Sequence, residues 1–328
     1  MGADQAKQEA PLLEVAEAEV LFPVRRGAWA RTIGHVRALG GVTLEMAEGE
    51  TLGLAGESGC GKTTLGRVVA GLQKPTAGRV SFRGRTLFAP GVRKPPAAEW
   101  RRRIQMVFQD PLASMNPRMA ICDLLTEGLA EHRMLGGETR EEAAVRLLGE
   151  VGLPADALWK YPFEFSGGQR QRICIARALS LRPELVVCDE VASALDVSVQ
   201  AQVINLLCDL RDRHGLAYLM ISHDLSVLRH VSRRIAVMYL GRLAEVGPSD
   251  TMVESPKHPY AQALVAAVPV PGARKERRAL RGEPPSAARP PAGCPFHTRC
   301  PHAMAICRSE APAAREVDGH RVWCHLHG

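Results

Sequence analysis

The sequence predicts an α/β protein in which a mainly parallel sheet is covered by helices on both faces. Three observations carry this. The stretch "GETLGLAGESGCGKTTLGRVVAGL" reads as a short apolar strand over 52–55, a glycine-rich turn, and a helix from about Lys62. The runs "LVVCDE" (185–190) and "LAYLMISHD" (216–224) are apolar without alternation, as expected of strands buried on both faces. Between them Val199, Val203, Leu206, Leu207 and Leu210 recur at helical spacing. Strands that alternate with helices pair in parallel, because only a crossover helix returns the chain to the same end of the sheet.

The remaining segments read differently. From about 111 to 181, Leu124, Leu125, Leu129, Val145, Leu147, Leu148 and Val151 suggest helices with no strand between them, hence a helical insertion. "RIAVMYLGRLAEVG" predicts a hairpin turning at Gly241. The Pro-, Ala- and Arg-rich stretch 269–293 predicts an extended linker. It leads into a Cys-rich module over 294–328, so that the main domain spans 10–268. No long internal repeat is found.

The chain has 328 residues, a hydrophobic content of 46% and a net charge of +7. No apolar run reaches the roughly 18 residues of a membrane span. The start "MGADQAKQEAPLLEV" lacks the basic and apolar regions of a secretory signal. Met1-Gly2 fits a myristoylation signal only in part, since Ala6 stands where Ser or Thr is wanted. The basic clusters "VRRG", "WRRR" and "ARKERRALR" leave nucleic acid open as a partner, although a solvated or membrane-facing surface explains them as well.

Gly56, Glu57, Ser58, Gly59, Cys60, Gly61, Lys62 and Thr63 fit G-x-x-x-x-G-K-[ST] without a gap. Glycines let the backbone curl so that N–H groups face a nucleotide's phosphates, and the following helix N-terminus adds positive potential. Lys62 would bridge the β- and γ-phosphates, and Thr63 would offer its hydroxyl to Mg²⁺. Ligands of open parallel sheets sit beyond the carboxyl ends of the strands, where Asp189 and Glu190 emerge. Asp189 then suits Mg²⁺, and Glu190 suits a water attacking the γ-phosphate. The bland alternatives are a solvated acidic strand end and, for His223 in "ISHD", a structural histidine.

"FSGGQRQRICIARAL" changes the weighing. Ser166-Gly167-Gly168-Gln169 opening a helix is the signature of the ATP-binding cassette (ABC) family. Lys62, Gln109, Ser166 to Gln169, Asp189-Glu190, Ser193 to Asp196 ("SALD") and His223 stand in that family's order. The chain is therefore identified as resembling an ABC ATPase. "FPVRRG", "VFQDPLASMNPRM", "SALDVSVQAQV", "HPYAQALVAAVP" and "GEPPSAARPPAGCPFHTRCP" resemble the oligopeptide and dipeptide permease branch. "GCGKTTLGR" and "CDE" favour the second of that branch's two ATPase subunits.

The resemblance implies a P-loop NTPase fold: a RecA-like core, an antiparallel β subdomain, a helical insertion and a small Cys-rich extension. It implies ATP and Mg²⁺ as cofactors, with Glu190, His223 and Gln109 catalytic, Gln109 also on the metal, and Thr64 in the phosphate loop. Phe22, about 34 residues before that loop, stands where the family stacks an aromatic on adenine, and a core strand residue is its alternative. The signature of one subunit would cap the ATP of its partner, with Asp196 at that interface. Partners implied are a sister ATPase, two membrane permease subunits and an external substrate-binding protein, on the cytoplasmic face of the inner membrane. Cys294, Cys300, Cys307 and Cys324, spaced C-x5-C-x6-C-x16-C, resemble a tail associated with a [4Fe–4S] cluster. Zinc stays open, with His297, His302, His320 and His325 nearby.

One departure stands out. Where the family has proline after Asp-Glu, this chain has Val191, so reduced or unchanged turnover is expected, with the site intact. Two rival functions compete with this one. A soluble cassette ATPase acting on DNA or ribosomes usually carries two cassettes or long coiled-coil inserts, and neither is present. A non-hydrolysing scaffold is opposed by Glu190 and His223. Import of a related solute such as nickel remains an alternative within the branch.

Overall fold

The computed structural model describes residues 10–26, 31–92, 97–267 and 282–328. Strands β1 (Leu13–Arg26) and β2 (Arg31–Met46) form a long antiparallel pair, followed by β3 (Thr51–Ala55), helix α1 (Lys62–Val69), β4 (Ala77–Phe82) and β5 (Arg85–Phe88). Next come α2 (Ala97–Arg103) and β6 (Ile104–Val107), then only helices and single 3₁₀ turns up to residue 179: α3 (Pro111–Ser114), α4 (Ile121–Glu131), α5 (Arg140–Glu150) and α6 (Gly167–Leu179). The chain re-enters the sheet at β7 (Leu185–Asp189), α7 (Val197–His214), β8 (Ala217–Ile221), α8 (Leu225–Val231), β9 (Arg234–Tyr239) and β10 (Arg242–Pro248). Helices α9 (Ser249–Glu254) and α10 (Pro259–Ala267) and the short strands β11 (Arg315–Val317) and β12 (His320–Val322) complete it.

Two sheets result, ordered β2-β1-β4-β5 and β11-β12-β10-β9-β3-β8-β7-β6. In the larger, β3, β8, β7 and β6 run parallel, with Leu52 opposite Leu219 and Val187 opposite Leu219 in register. Every residue of β3, β7 and β8 is buried, which is why these strands read as unbroken apolar runs. The expected hairpin turns at Leu240-Gly241, both with positive φ, the primed geometry that matches strand twist. Two apolar cores flank the sheet. One contains the helical insertion with α7, and the other packs α1 and the β1–β2 pair.

The Cys-rich segment does not stand apart from this core. Its hairpin β11–β12 extends the main sheet, with β12 pairing β10 (Glu245 opposite Val322), while Phe296 is buried at 2% exposure in the main core. Of the linker expected over 269–293, residues 269–281 lie outside the described residues, and 282–293 hold bends and turns only. Among the described residues no helix is long and apolar enough to cross a membrane.

Candidate nucleotide site

The phosphate loop leaves β3 and enters α1 at Gly61. Gly56 and Gly61 have φ of +151° and +107°, and a Cβ on them would stand 2.3 Å from the Met238 carbonyl and 2.4 Å from the Ala38 carbonyl. Neither position accepts a side chain, so the loop lies close against β9 and β2. The Lys62 ammonium, buried, donates to the carbonyls of Gly56 (2.8 Å) and Glu57 (3.0 Å) from its own loop. Burial pushes the Cys60 thiol up, so it is a neutral filler of this loop. The Thr63 hydroxyl donates to Asp189 Oδ1 at 3.1 Å. This hydroxyl and carboxylate are the hard oxygen donors that suit Mg²⁺.

Asp189 closes β7 and is buried, and burial raises its carboxyl above the usual carboxylate range, with the Thr63 hydrogen bond opposing. Glu190 adopts φ +48°, a left-handed backbone costing roughly 1–3 kcal/mol in a non-glycine residue. It is held there from both sides: its N–H donates to the Ile221 carbonyl (3.0 Å), and its carbonyl accepts the Ser193 N–H (3.1 Å) and hydroxyl (3.0 Å). The result aims one carboxylate oxygen at two expected partners. Gln109 Nε2 donates to Glu190 Oε2 at 3.1 Å, and His223 Nδ1 lies 3.6 Å from the same oxygen.

Val191 is buried at 4% exposure, one residue into the Glu190–Ser193 turn. The turn closes through backbone hydrogen bonds without proline, so what proline supplies here is a smaller unfolded-state entropy, worth about 0.4–1 kcal/mol. Glu190 is held by Ile221 on one side and, through the turn that contains Val191, by Ser193 on the other, while Gln109 and His223 meet its carboxylate.

Ser166 caps α6 in a reciprocal box: its hydroxyl accepts the Gln169 N–H (3.3 Å) and its N–H donates to Gln169 Oε1 (3.0 Å). Asp196 precedes α7 without capping it and is exposed, and Val197 beside it is 85% exposed. Phe22 lies on β1 and is 40% exposed, outside the buried core. Tyr260 was not anticipated. Its ring is fully buried, and its hydroxyl accepts the Glu57 N–H at 2.8 Å, tying α10 to the phosphate loop across 203 residues of chain. The quoted "HPY" was its only signal.

The four tail cysteines come near one another, and burial raises the thiols of Cys294, Cys300 and Cys324, the last to about 11, with neighbouring thiols adding to it. The Cys294 N–H donates to the Cys307 carbonyl (2.9 Å). Yet among the described residues no three His, Cys, Asp or Glu side chains converge to hold a metal ion. The expected [4Fe–4S] or zinc site is therefore not supported by this arrangement. The histidines do not complete it: His320 is engaged at both nitrogens, with Glu245 (2.6 Å) and Thr251 (2.8 Å), and His297 and His325 each hold a backbone carbonyl.

A phosphate loop on a parallel sheet, an acidic pair at the end of β7, two strands away in the same sheet, and a capped Ser-Gly-Gly-Gln helix define a cassette-type ATPase. Residues 39–193 match the ABC transporter family, and 244–307 match the oligopeptide/dipeptide transporter C-terminal region. The chain is 48% identical over 98% of its length to the oligopeptide transport ATP-binding protein AppF of Bacillus subtilis (strain 168), covering 99% of that protein. It is 47% identical over 93% of its length to the di/tripeptide transport ATP-binding protein DppF of Pseudomonas aeruginosa (strain UCBPP-PA14), covering 94% of it. Its fold is similar to that of the ATP-binding cassette MJ0796, solved as a dimer in a post-hydrolysis state with ADP and Pi (TM-score 0.61, 25% identity, 72% of this chain and 98% of that one). The chain belongs to the ABC transporter ATPases of the oligopeptide/dipeptide importer family.

Proposed function

We propose that this chain is the ATP-hydrolysing subunit of a peptide importer, driving transport through separate membrane subunits. The observation that carries the hydrolysis is the convergence of Gln109 and His223 on the Glu190 carboxylate, beside the Thr63–Asp189 pair, and peptide import is supported by the match to the oligopeptide/dipeptide transporter family. Lys62 exchanges its loop carbonyls for the β- and γ-phosphate oxygens of ATP. Thr63, Asp189 and Gln109 would hold Mg²⁺, which when bound neutralises charge on those oxygens. Glu190 accepts the proton of a water attacking the γ-phosphorus, the bond to the β-phosphate oxygen breaks, and ADP and phosphate leave. His223 orients Glu190 and the water. Phe22 stacks on adenine. Ser166 to Gln169 cap the ATP of a second cassette, and Asp196 with the exposed Val197 meets that partner.

The partner in this reading is a sister ATPase, with two permease subunits and an external binding protein, the chain being peripheral at the cytoplasmic face of the inner membrane. Purification from membranes, with every bound chain identified, is expected to yield permeases and a sister ATPase. Hydrolysis by that complex is expected to rise on adding peptide-loaded binding protein. Recovery of this chain only with copies of itself would overturn the heterodimer, and stimulation by another solute in place of peptide would overturn the substrate.

For the tail, the reading that a [4Fe–4S] cluster binds there rests on the resemblance of the cysteine spacing alone, because Cys294 and Cys307 already pack in the apolar core and, among the described residues, no three ligands converge. Protein purified anaerobically is then expected to be brown and to lose its iron in Cys→Ser variants at 294, 300, 307 or 324. Colourless protein carrying zinc would replace iron with zinc, and metal-free protein would leave four plain thiols.

A further inference from the structure

Glu57 is a negative charge built into a loop whose task is to hold the most negative part of ATP. A carboxylate there opposes phosphate binding unless something neutralises it. Its neutralising partner comes from the Cys-rich segment, 242 residues away. Arg299 Nη1 lies 2.7 Å from Glu57 Oε2 and Arg299 Nη2 lies 3.0 Å from Glu57 Oε1, a two-pronged pair. The Arg299 side chain is only 5% exposed and that of Glu57 26%, so this pair is partly shielded from the salt screening that makes surface pairs weak.

The guanidinium is itself fixed from behind. It stands over the Tyr239 ring, 5.9 Å from its centroid, and Nη1 reaches the Tyr239 hydroxyl at 3.4 Å. The Arg299 N–H donates to the Phe296 carbonyl (3.0 Å), closing a turn onto the buried Phe296 ring. That ring packs edge-on against Tyr239 (5.2 Å) and tilted against Tyr260 (5.3 Å). Tyr260 is the same residue that takes the Glu57 N–H. Side chain and backbone of Glu57 are thus both anchored on one aromatic cluster, with Arg299 supplying the charge.

We infer that Arg299 is a positioning residue for ATP: by pairing with Glu57 it neutralises and holds the phosphate loop, so the Cys-rich tail sets the nucleotide affinity of the cassette. The inference rests on reading residues 56–63 as the phosphate site. Planar, two-pronged pairing is specific to arginine, so lysine substitutes only in charge.

The test is a double-mutant cycle in the assembled importer, with KM for ATP, kcat and Tm read for each variant. Arg299→Ala, which leaves the Glu57 carboxylate uncompensated beside the phosphates, is expected to raise KM for ATP about tenfold with kcat changed less than about threefold, whereas Glu57→Gln, which removes that charge and leaves the guanidinium, is expected to lower KM. The double variant, with no carboxylate left to neutralise, is expected to regain most of the affinity lost in Arg299→Ala. Arg299→Lys, which keeps the charge and the fold, is expected to fall between wild type and Arg299→Ala. Additive KM effects, or a fall in Tm with KM unmoved, would overturn the proposal and leave Arg299 a packing residue. Lys62→Ala separates the underlying reading: if it binds ATP like wild type, the phosphate site lies elsewhere and the inference falls with it. If Lys62→Ala abolishes binding while Arg299→Ala leaves KM unchanged, only the inference fails.

Discussion

Glu190→Gln is expected to lower phosphate release by the assembled importer about 10³-fold, within the roughly 10²–10⁴ supplied by a positioned general base. The substitution isolates the proton. Glutamine has nearly the shape of glutamate and still accepts the Gln109 amide hydrogen bond found at 3.1 Å, so the local packing persists. What it lacks is an oxygen able to take a proton from water. In the proposed mechanism ATP binding runs through Lys62, Thr63 and Asp189, so it is expected to stay within about threefold of wild type, giving a loss in kcat without a loss in KM. The left-handed backbone at Glu190 adds weight, because a strain of that size persists only where neighbours over-determine it. Measuring single-turnover phosphate release and ATP affinity on the same sample decides the matter. A wild-type rate would remove Glu190 as the base, and a collapse of affinity would show that the carboxylate acts in binding instead.

What the sequence made legible follows from how local each cause is. β3, β7 and β8 were readable because burial on both faces writes itself as consecutive apolar residues, and the 56–63 loop because its glycines answer local steric demands. The long β1–β2 pair was not read as such. Its alternation is broken by register shifts at Ala18, near Glu17 with φ +49°, and by alanines that carry little apolar signal. Val145 counted toward the helical pattern of α5, yet it is 40% exposed. The hairpin β11–β12 is three residues a strand, too short for any period, and only its pairing with distant β10 gives it a place. Gln109 alone carries almost no signal, and Arg299 and Tyr260 stand only within the "HTRCP" and "HPY" runs, with no role legible for either. Each acts on a residue at least 81 positions away. In "HTRCP" the cysteine draws the eye, although the arginine beside it is the residue that reaches the phosphate loop.

The second large effect is expected at Gly168, and here two opposing magnitudes must be compared. Replacing a helical glycine by alanine ordinarily gains up to about 1 kcal/mol of helix propensity. At this site a Cβ would stand 2.4 Å from Val199 Cγ1, far inside contact distance. Valine in a helix has essentially one side-chain rotamer, so Val199 on α7 cannot swing aside, and overpacking of this kind costs about 1–3 kcal/mol. The clash wins, and relief comes by driving the first turn of α6 away from α7. That first turn carries Ser166 and the Gly167 and Gly168 N–H groups, while α7 begins beside Asp196. Gly168→Ala is therefore expected to reduce hydrolysis by more than about tenfold, because even a 1 Å misplacement of a positioning group can cost that much. Val199→Ala removes the opposing methyls, so the double variant is expected to regain most of the rate, read as ATP turnover by the assembled importer with Tm alongside. Should the rate stay low in the double variant while Tm recovers, then helix packing is not why glycine stands at 168, and close approach of a phosphate to its backbone becomes the cause. The two explanations differ in where the missing Cβ matters, against Val199 or against ATP, and only the first is cured by a change on α7.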